Sequence, residues 1–248
     1  MTSTSSGEPV ATSTTEMVIE TSRVVIVAGI TYGTVVVGIG SRLAMLLLRV
    51  TSPQAVIGIR SDDDFVIGRV TLAGTYNLLV LGAGVGIVGA GVYLLVASRL
   101  LGPVWFRHLT VGLASAAVVG SMLVHADGID FTQLKPKWLA IGLFVVLPGV
   151  FGTFIGPTVN AVKRTHSWTA RGRRRWLLPI VAIACFPPTI PVVIFAVAAV
   201  GILTAVGTSD SLNRVRSTPA FGMFIRAAWL TIAVAGLAAL VNDIGQLT

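Results

Sequence analysis

The chain has 248 residues, of which 54% are hydrophobic and only 11% charged, and its mean hydropathy is +0.87. A soluble domain carries roughly 25% Asp, Glu, Lys and Arg, so this chain has too few charges to coat a water-facing surface. Disorder of the whole is excluded too, because it requires low hydrophobicity. An integral membrane protein remains. Its net charge of +8 reads as basic residues flanking membrane spans rather than as a nucleic-acid surface.

Residues 1–22 are rich in Ser and Thr and hold Glu8, Glu16 and Glu20, which predicts a polar, disordered N-terminal tail. The tail lacks the positive start and small-residue cleavage site of a signal peptide, so the first span is expected to stay attached as an anchor. A helix needs about 20 apolar residues to cross roughly 30 Å of hydrocarbon. Uncharged intervals of 18, 29, 19, 25, 34 and 16 residues follow Arg23, Arg69, Arg107, Lys137, Arg175 and Arg226. They predict a transmembrane domain over 23–248 with six spans at about 24–48, 72–99, 106–126, 138–162, 176–206 and 220–242. The fifth interval as one helix would measure about 51 Å. It is therefore expected to be one crossing broken near Pro187, Pro188 and Pro191, with an interfacial continuation.

The connection after the first span is the longest. Its middle, from Ala55 to Val70, has two β-branched runs around Asp62, Asp63 and Asp64, which predicts a short β-hairpin-like cap. The acidic turn is expected to fold back and pair with Arg42 or Arg49. The predicted fold class is thus an all-α bundle of six transmembrane helices with an outer hairpin-like cap between the first two.

Orientation follows from Lys and Arg in short loops. Lys163, Arg164, Arg171, Arg173, Arg174 and Arg175 fall in 13 positions without an acid, which places that loop in the cytoplasm. Six crossings then put both termini in the cytoplasm. The global tally under this layout is nine basic residues on each side, so the density of one loop decides the assignment.

Helix pairing in a bilayer relies on small residues, because lipid tails are as apolar as Leu. Gly82, Gly86 and Ala90 step by four along the second span, as do Gly112, Ala116 and Gly120 along the third. Gly29 with Gly33, and Gly152 with Gly156, do the same on the first and fourth. Positions four apart share a helix face, so each strip offers a place where another backbone can approach. Gly84, Gly86 and Gly89 also satisfy G-x-G-x-x-G. The dinucleotide fold needs an acid about 20 residues later and a returning strand; neither follows here.

Polar residues inside a span are functional candidates because they are costly there. Asn77, Thr110, Ser115, Asn160 and Thr189 are the central ones, and a Ser or Thr can also bond its own helix carbonyl. Among the histidines, His125 with Asp127 and Asp130 forms the best polar cluster, able to bind a cation or titrate near neutrality, against the plainer reading of a solvated loop. The lone Cys185 excludes an internal disulfide. No motif calls for a metal or cofactor, and none names a catalytic residue. The proline-broken fifth span resembles the discontinuous helices that line transporter sites.

The stretch from Gly120 to Phe131, GSMLVHADGIDF, together with SDDDFVIGR from Ser61 to Arg69, resembles uncharacterised multi-pass membrane proteins of high-GC Gram-positive bacteria. That resemblance carries no activity and implies a plasma-membrane location. The function expected is a non-enzymatic assembly or interaction subunit, in contact with membrane lipids and with a protein subunit or a second copy. The alternatives are a small transporter or channel built on the fifth span and, third, an intramembrane enzyme acting on lipid.

Overall fold

A computed structural model describes residues 14–53, 58, 70–97, 99–100, 102–125, 128, 131, 134–164, 169, 171–208 and 218–247. Seven helices are seen among them: α1 (Thr14–Thr51), α2 (Leu72–Ala97), α3 (Val104–Leu123), α4 (Lys137–Lys163), α5 (Arg174–Cys185), α6 (Ile190–Thr208) and α7 (Pro219–Leu247). Six stretches are long and apolar enough to cross a membrane: α1, α2, α3, α4, Pro187–Gly207 and α7. The chain is a multi-pass membrane protein with an all-α fold.

The expected hairpin-like cap is corrected: among the described residues there is no β-strand. Helix α1 runs on to Thr51 and α2 starts at Leu72, and an isolated two-stranded hairpin is at best marginal in water. Residues 54–57 and 59–69, with Asp62, Asp63 and Asp64, lie outside the described residues, and so does the pairing expected for them. Arg42 donates to the Thr71 carbonyl (3.4 Å). At the other end, α1 begins at Thr14, so residues 14–22 form its first turns. Its 38 residues extend about 57 Å, longer than the roughly 30 Å of hydrocarbon.

Glycine decides how the helices meet. A methyl group on Gly29 would sit 2.6 Å from the Ile87 Cα, and one on Gly82 would sit 2.6 Å from the Gly33 carbonyl oxygen. A methyl on Gly86 would collide with the Gly29 carbonyl, and one on Gly33 with that of Gly82. Backbone therefore lies against backbone along α1 and α2. On the other side of the core, Gly112 of α3 faces Thr153 and the Gly149 carbonyl of α4, and Gly152 faces Ser115. Beside the α1–α2 contact, Thr34–Ile39 winds as a π-helix, with Gly38 against Leu79 and Gly82.

Two apolar clusters cap the bundle. One, with Val24, Ile87, Tyr93, Ile155 and Val159, lies where α1 begins; the other, with Leu48, Val124, Phe131, Ala140 and Leu247, lies at the opposite end.

The chain beyond α4 departs from simple alternation. Helix α5 starts where Arg175 pairs with Glu20 of α1 (3.2 Å). It ends where the Tyr76 hydroxyl, in the second turn of α2, donates to the Cys185 carbonyl (3.3 Å) and Tyr76 stacks on Phe186. The break follows at Phe186 and a 3-10 turn, Pro187–Thr189. Val192 of α6 then lies against Gly84, two turns deeper along α2. Helix α6 thus returns toward the end at which α5 began, and the two form a helical hairpin. Helix α7 runs parallel to α3, with Gly236 against Val118 and Leu240 against Gly120. Arg226 donates to the Arg99 carbonyl (3.0 Å) near its start, and Lys137 donates to the Leu247 carbonyl (3.0 Å) at its finish. Thr14 and Leu247 consequently lie at opposite ends of the bundle, whereas six simple crossings put both termini at one end. The climb of α5, read from sequence as part of a single fifth crossing, is the difference.

Gly86→Leu forces a side chain into the α1–α2 contact and should cost about 1–3 kcal/mol through overpacking. Gly91→Leu, one helix face away with nothing within 4 Å, should be tolerated. Thermal unfolding in detergent reports both, and equal stability of the two variants would mean that α1 and α2 do not meet as described.

Candidate functional site

The polar residues that the fold gathers lie at the end where α1 and α5 begin. Arg23 is only 4% exposed. Its Nε donates to both Glu20 carboxylate oxygens (3.2 and 3.1 Å), its Nη1 to the Thr169 carbonyl (3.3 Å) and its Nη2 to the Val162 carbonyl (3.3 Å). Val162 is in the last turn of α4, where carbonyls lack intrahelical partners, and a cation there complements the helix dipole. Glu20 reaches on to Arg175 of α5. One acid and two arginines therefore hold α1, α4 and α5 in register. Glu20 precedes the uncharged stretch that opens at Val24, and the hydrogen bond from Arg23 holds its carboxyl below the usual carboxylate range. Since the Glu20 side chain is 39% exposed, its pairing contributes at most about 1 kcal/mol; the buried guanidinium is the greater constraint.

Next to this lock is a cleft of about 280 Å³ lined by Tyr93, Leu94 and Ala97 of α2, Val104, Arg107 and His108 of α3, and Asn160 and Lys163 of α4. Gly156 leaves room for its wall: a methyl there would meet the His108 and Tyr93 rings at 2.5 and 2.6 Å, and those rings stack with centroids 6.2 Å apart. Arg107 is oriented by donating its Nε–H to the Gly102 carbonyl (2.8 Å). Among the described residues, three that line it are basic or imidazole and none is acidic.

The residues singled out from sequence scatter over the bundle. Gly82 and Gly86 meet α1, Gly112 meets α4, and Gly120 lies between Val145 and Leu240. His125 is exposed past the end of α3, where its carbonyl accepts the Gly128 N–H (3.1 Å); Asp127 and Asp130 lie outside the described residues. Pro187, Pro188 and Pro191 are exposed on the outer side of the break. Thr189 points inward at 1% exposure, and its hydroxyl donates to the Phe186 carbonyl (2.7 Å). The break's polar groups are thus taken up by their own neighbours. Thr110 and Thr153 likewise bond carbonyls four residues back in their own helices. Among the described residues, no three His, Cys, Asp or Glu side chains gather where they could hold a metal ion.

No protein-family model matches the chain, and neither does any curated protein or solved structure.

Sequence reading missed Arg23 as a buried group, because it stood at the edge of an uncharged interval and read as a flank. It missed Tyr93 as a cleft wall, because an aromatic inside a span reads as apolar filling. Asn160 was the one cleft residue visible as a polar intruder. Arg23→Ala removes a charged donor to three partners, and hydrogen bonds from a charged group are worth about 1.5–3 kcal/mol. The variant should unfold at lower temperature in detergent and expose the chain around Arg171 to trypsin. Glu20→Gln should shift stability by under about 1 kcal/mol. A reversed order of the two would refute the lock.

Proposed function

We propose that this chain is a non-catalytic subunit of a membrane assembly, with its N-terminus and basic loop in the cytoplasm and its C-terminus on the other side. The unequal use of glycine carries this reading. Gly29, Gly33, Gly82, Gly86, Gly112 and Gly152 are consumed by packing within the bundle, whereas Gly91, Gly142, Gly201, Gly222 and Gly245 face open space. Glycine costs about 1 kcal/mol relative to Ala in a helix interior, and at these positions no side-chain packing against described residues offsets it. A helix of a second polypeptide, approaching as closely as α1 approaches α2, would. Only 11% of the span window of Pro187–Gly207, and 11% of that of α7, is buried, so both present most of their circumference outward. The plasma membrane as location, implied by the family resemblance, is part of the same proposal.

The orientation is supported by charge. With α5 and α6 as a hairpin, the start of α7 joins the end that holds the basic loop. Ten of the 14 described Lys and Arg residues then lie on one side, whereas six simple crossings give a nine-to-nine tie over all 18. The positive-inside rule favours the cytoplasm for that side.

Photo-reactive residues in place of Phe195 and Phe224, which are 72% and 66% exposed, test the first part. In native membranes at least one should give a protein–protein adduct of discrete mass, and adducts to lipid alone from both would overturn the reading. For the orientation, Gln246→Cys in a Cys185→Ser background should react in intact cells with a membrane-impermeant thiol reagent, while Arg171→Cys should not. Equal labelling of the two would refute the opposed ends.

A further inference from the structure

We infer that the cleft between α2, α3 and α4 binds a phosphate-type oxyanion, as a free ion or as the headgroup of a membrane lipid. The inference goes beyond the proposed assembly role and does not depend on it.

The argument starts with charge in the wrong place for a helix. The first turns of an α-helix carry the positive end of its dipole, so basic residues there are unfavourable unless an anion answers them. Helix α3 begins at Val104, has no side-chain cap and no acid in its first turn, and carries Arg107 and His108 there. Lys163 of α4 adds another cation on the same cleft, and among the described residues it has no hydrogen-bond or ion-pair partner. Among the described residues no acid answers this charge. The acids among the described residues are Glu16, Glu20 and Asp243, none of them lines the cleft, and Glu20 is held by Arg23 and Arg175.

The cleft also has the shape and chemistry of a headgroup site. Its 280 Å³ is room for a phosphate ester and its first carbons. Arg107 has its Nε committed to Gly102, which fixes the plane of the guanidinium and leaves the Nη donors for an oxyanion; paired N–H groups match phosphate oxygens. Asn160 is hydrogen-bonded to the Tyr93 hydroxyl, and both line the same cleft, where the second amide N–H and the phenolic O–H can donate to further oxygens. Leu94, Ala97 and Val104 form the apolar part of the wall, on which the carbons of a glycerophosphate would rest. The position is right too: basic pockets between transmembrane helices at the membrane face recognise phosphate headgroups.

The test uses the full chain in lipid nanodiscs and in detergent. Thermal shifts are measured with added inorganic phosphate, and with phosphatidylglycerol against phosphatidylcholine; native mass spectrometry counts retained lipids. Lys163→Gln alters an exposed residue at a helix end and should leave the fold intact. Alone it should weaken phosphate or phosphatidylglycerol binding about tenfold, the equivalent of one charged hydrogen bond, and with Arg107→Gln it should abolish the shift. Arg171→Gln removes the same charge from the exposed basic loop and should bind like the unaltered chain. A response to inorganic phosphate identifies a free-ion site, and a response to phosphatidylglycerol alone identifies a headgroup site. Absence of any preference over phosphatidylcholine and chloride overturns the inference. So does unchanged binding by Lys163→Gln, or an equal loss in Arg171→Gln, which would mean a diffuse surface field.

Discussion

The close approach of α1 and α2 is the contact on which the rest of the bundle is built. Lipid tails compete with apolar side chains on equal terms, so helices in a bilayer hold together by packing dense enough to outdo lipid. Gly29 and Gly33 against Gly82 and Gly86 achieve this by removing side chains at the points of closest approach, leaving carbonyl and Cα atoms in contact. The neighbouring π-helical turn, Thr34–Ile39, shifts the angular register of α1 where Gly38 meets Leu79 and Gly82. With one face of α1 fixed on α2, other parts of its circumference are left for α4, α5 and α6, all of which pack on it. The glycine strip of α3 and α4 repeats the principle, and α7 is added through Gly236.

The helical hairpin of α5 and α6 depends on this arrangement. Proline removes a backbone donor and clashes with the preceding turn, so Pro187 and Pro188 end α5 wherever they are placed. That the chain then turns back, rather than kinking and continuing, follows from what meets the break. Tyr76 takes the Cys185 carbonyl, Phe186 stacks on Tyr76, and Thr189 satisfies the Phe186 carbonyl while buried. A hairpin reverses the sense of everything after it, and one proline break thereby changes the side assigned to the last helix and the balance of charge across the proposed membrane orientation.

Polar chemistry in this protein is segregated by end. Inside the helices, hydroxyls such as those of Thr153 and Thr204 return to their own backbones, which removes them as ligands. At the end where α1 begins, Arg23 is drawn into the bundle and used structurally, while Arg107 and Lys163 stand round a cleft lined by no acid among the described residues. The difference is one of partners: Arg23 has Glu20 three residues away on its own helix, and the cleft cations have no acidic partner among the described residues. The reading of a subunit in contact with lipid and protein rests on these two surfaces, the outward glycines and the cationic cleft.

From the sequence alone came the class of protein, the six apolar stretches, the break at the prolines and the glycine spacings, because each is a local property. Hydrophobic length must match the bilayer, proline must interrupt a helix, and residues four apart must share a face. The tertiary structure alone decided which glycine strips meet, that Arg23 is buried, and that Tyr93, Arg107, Asn160 and Lys163 come together from three helices. It also replaced the expected hairpin-like cap with an all-α fold among the described residues. Charge-free intervals carry no direction, so a segment that climbs and returns has the same composition as one that crosses. The sense of α6 and α7 is therefore set by the contacts at the break and at Gly236, which no count along the chain contains.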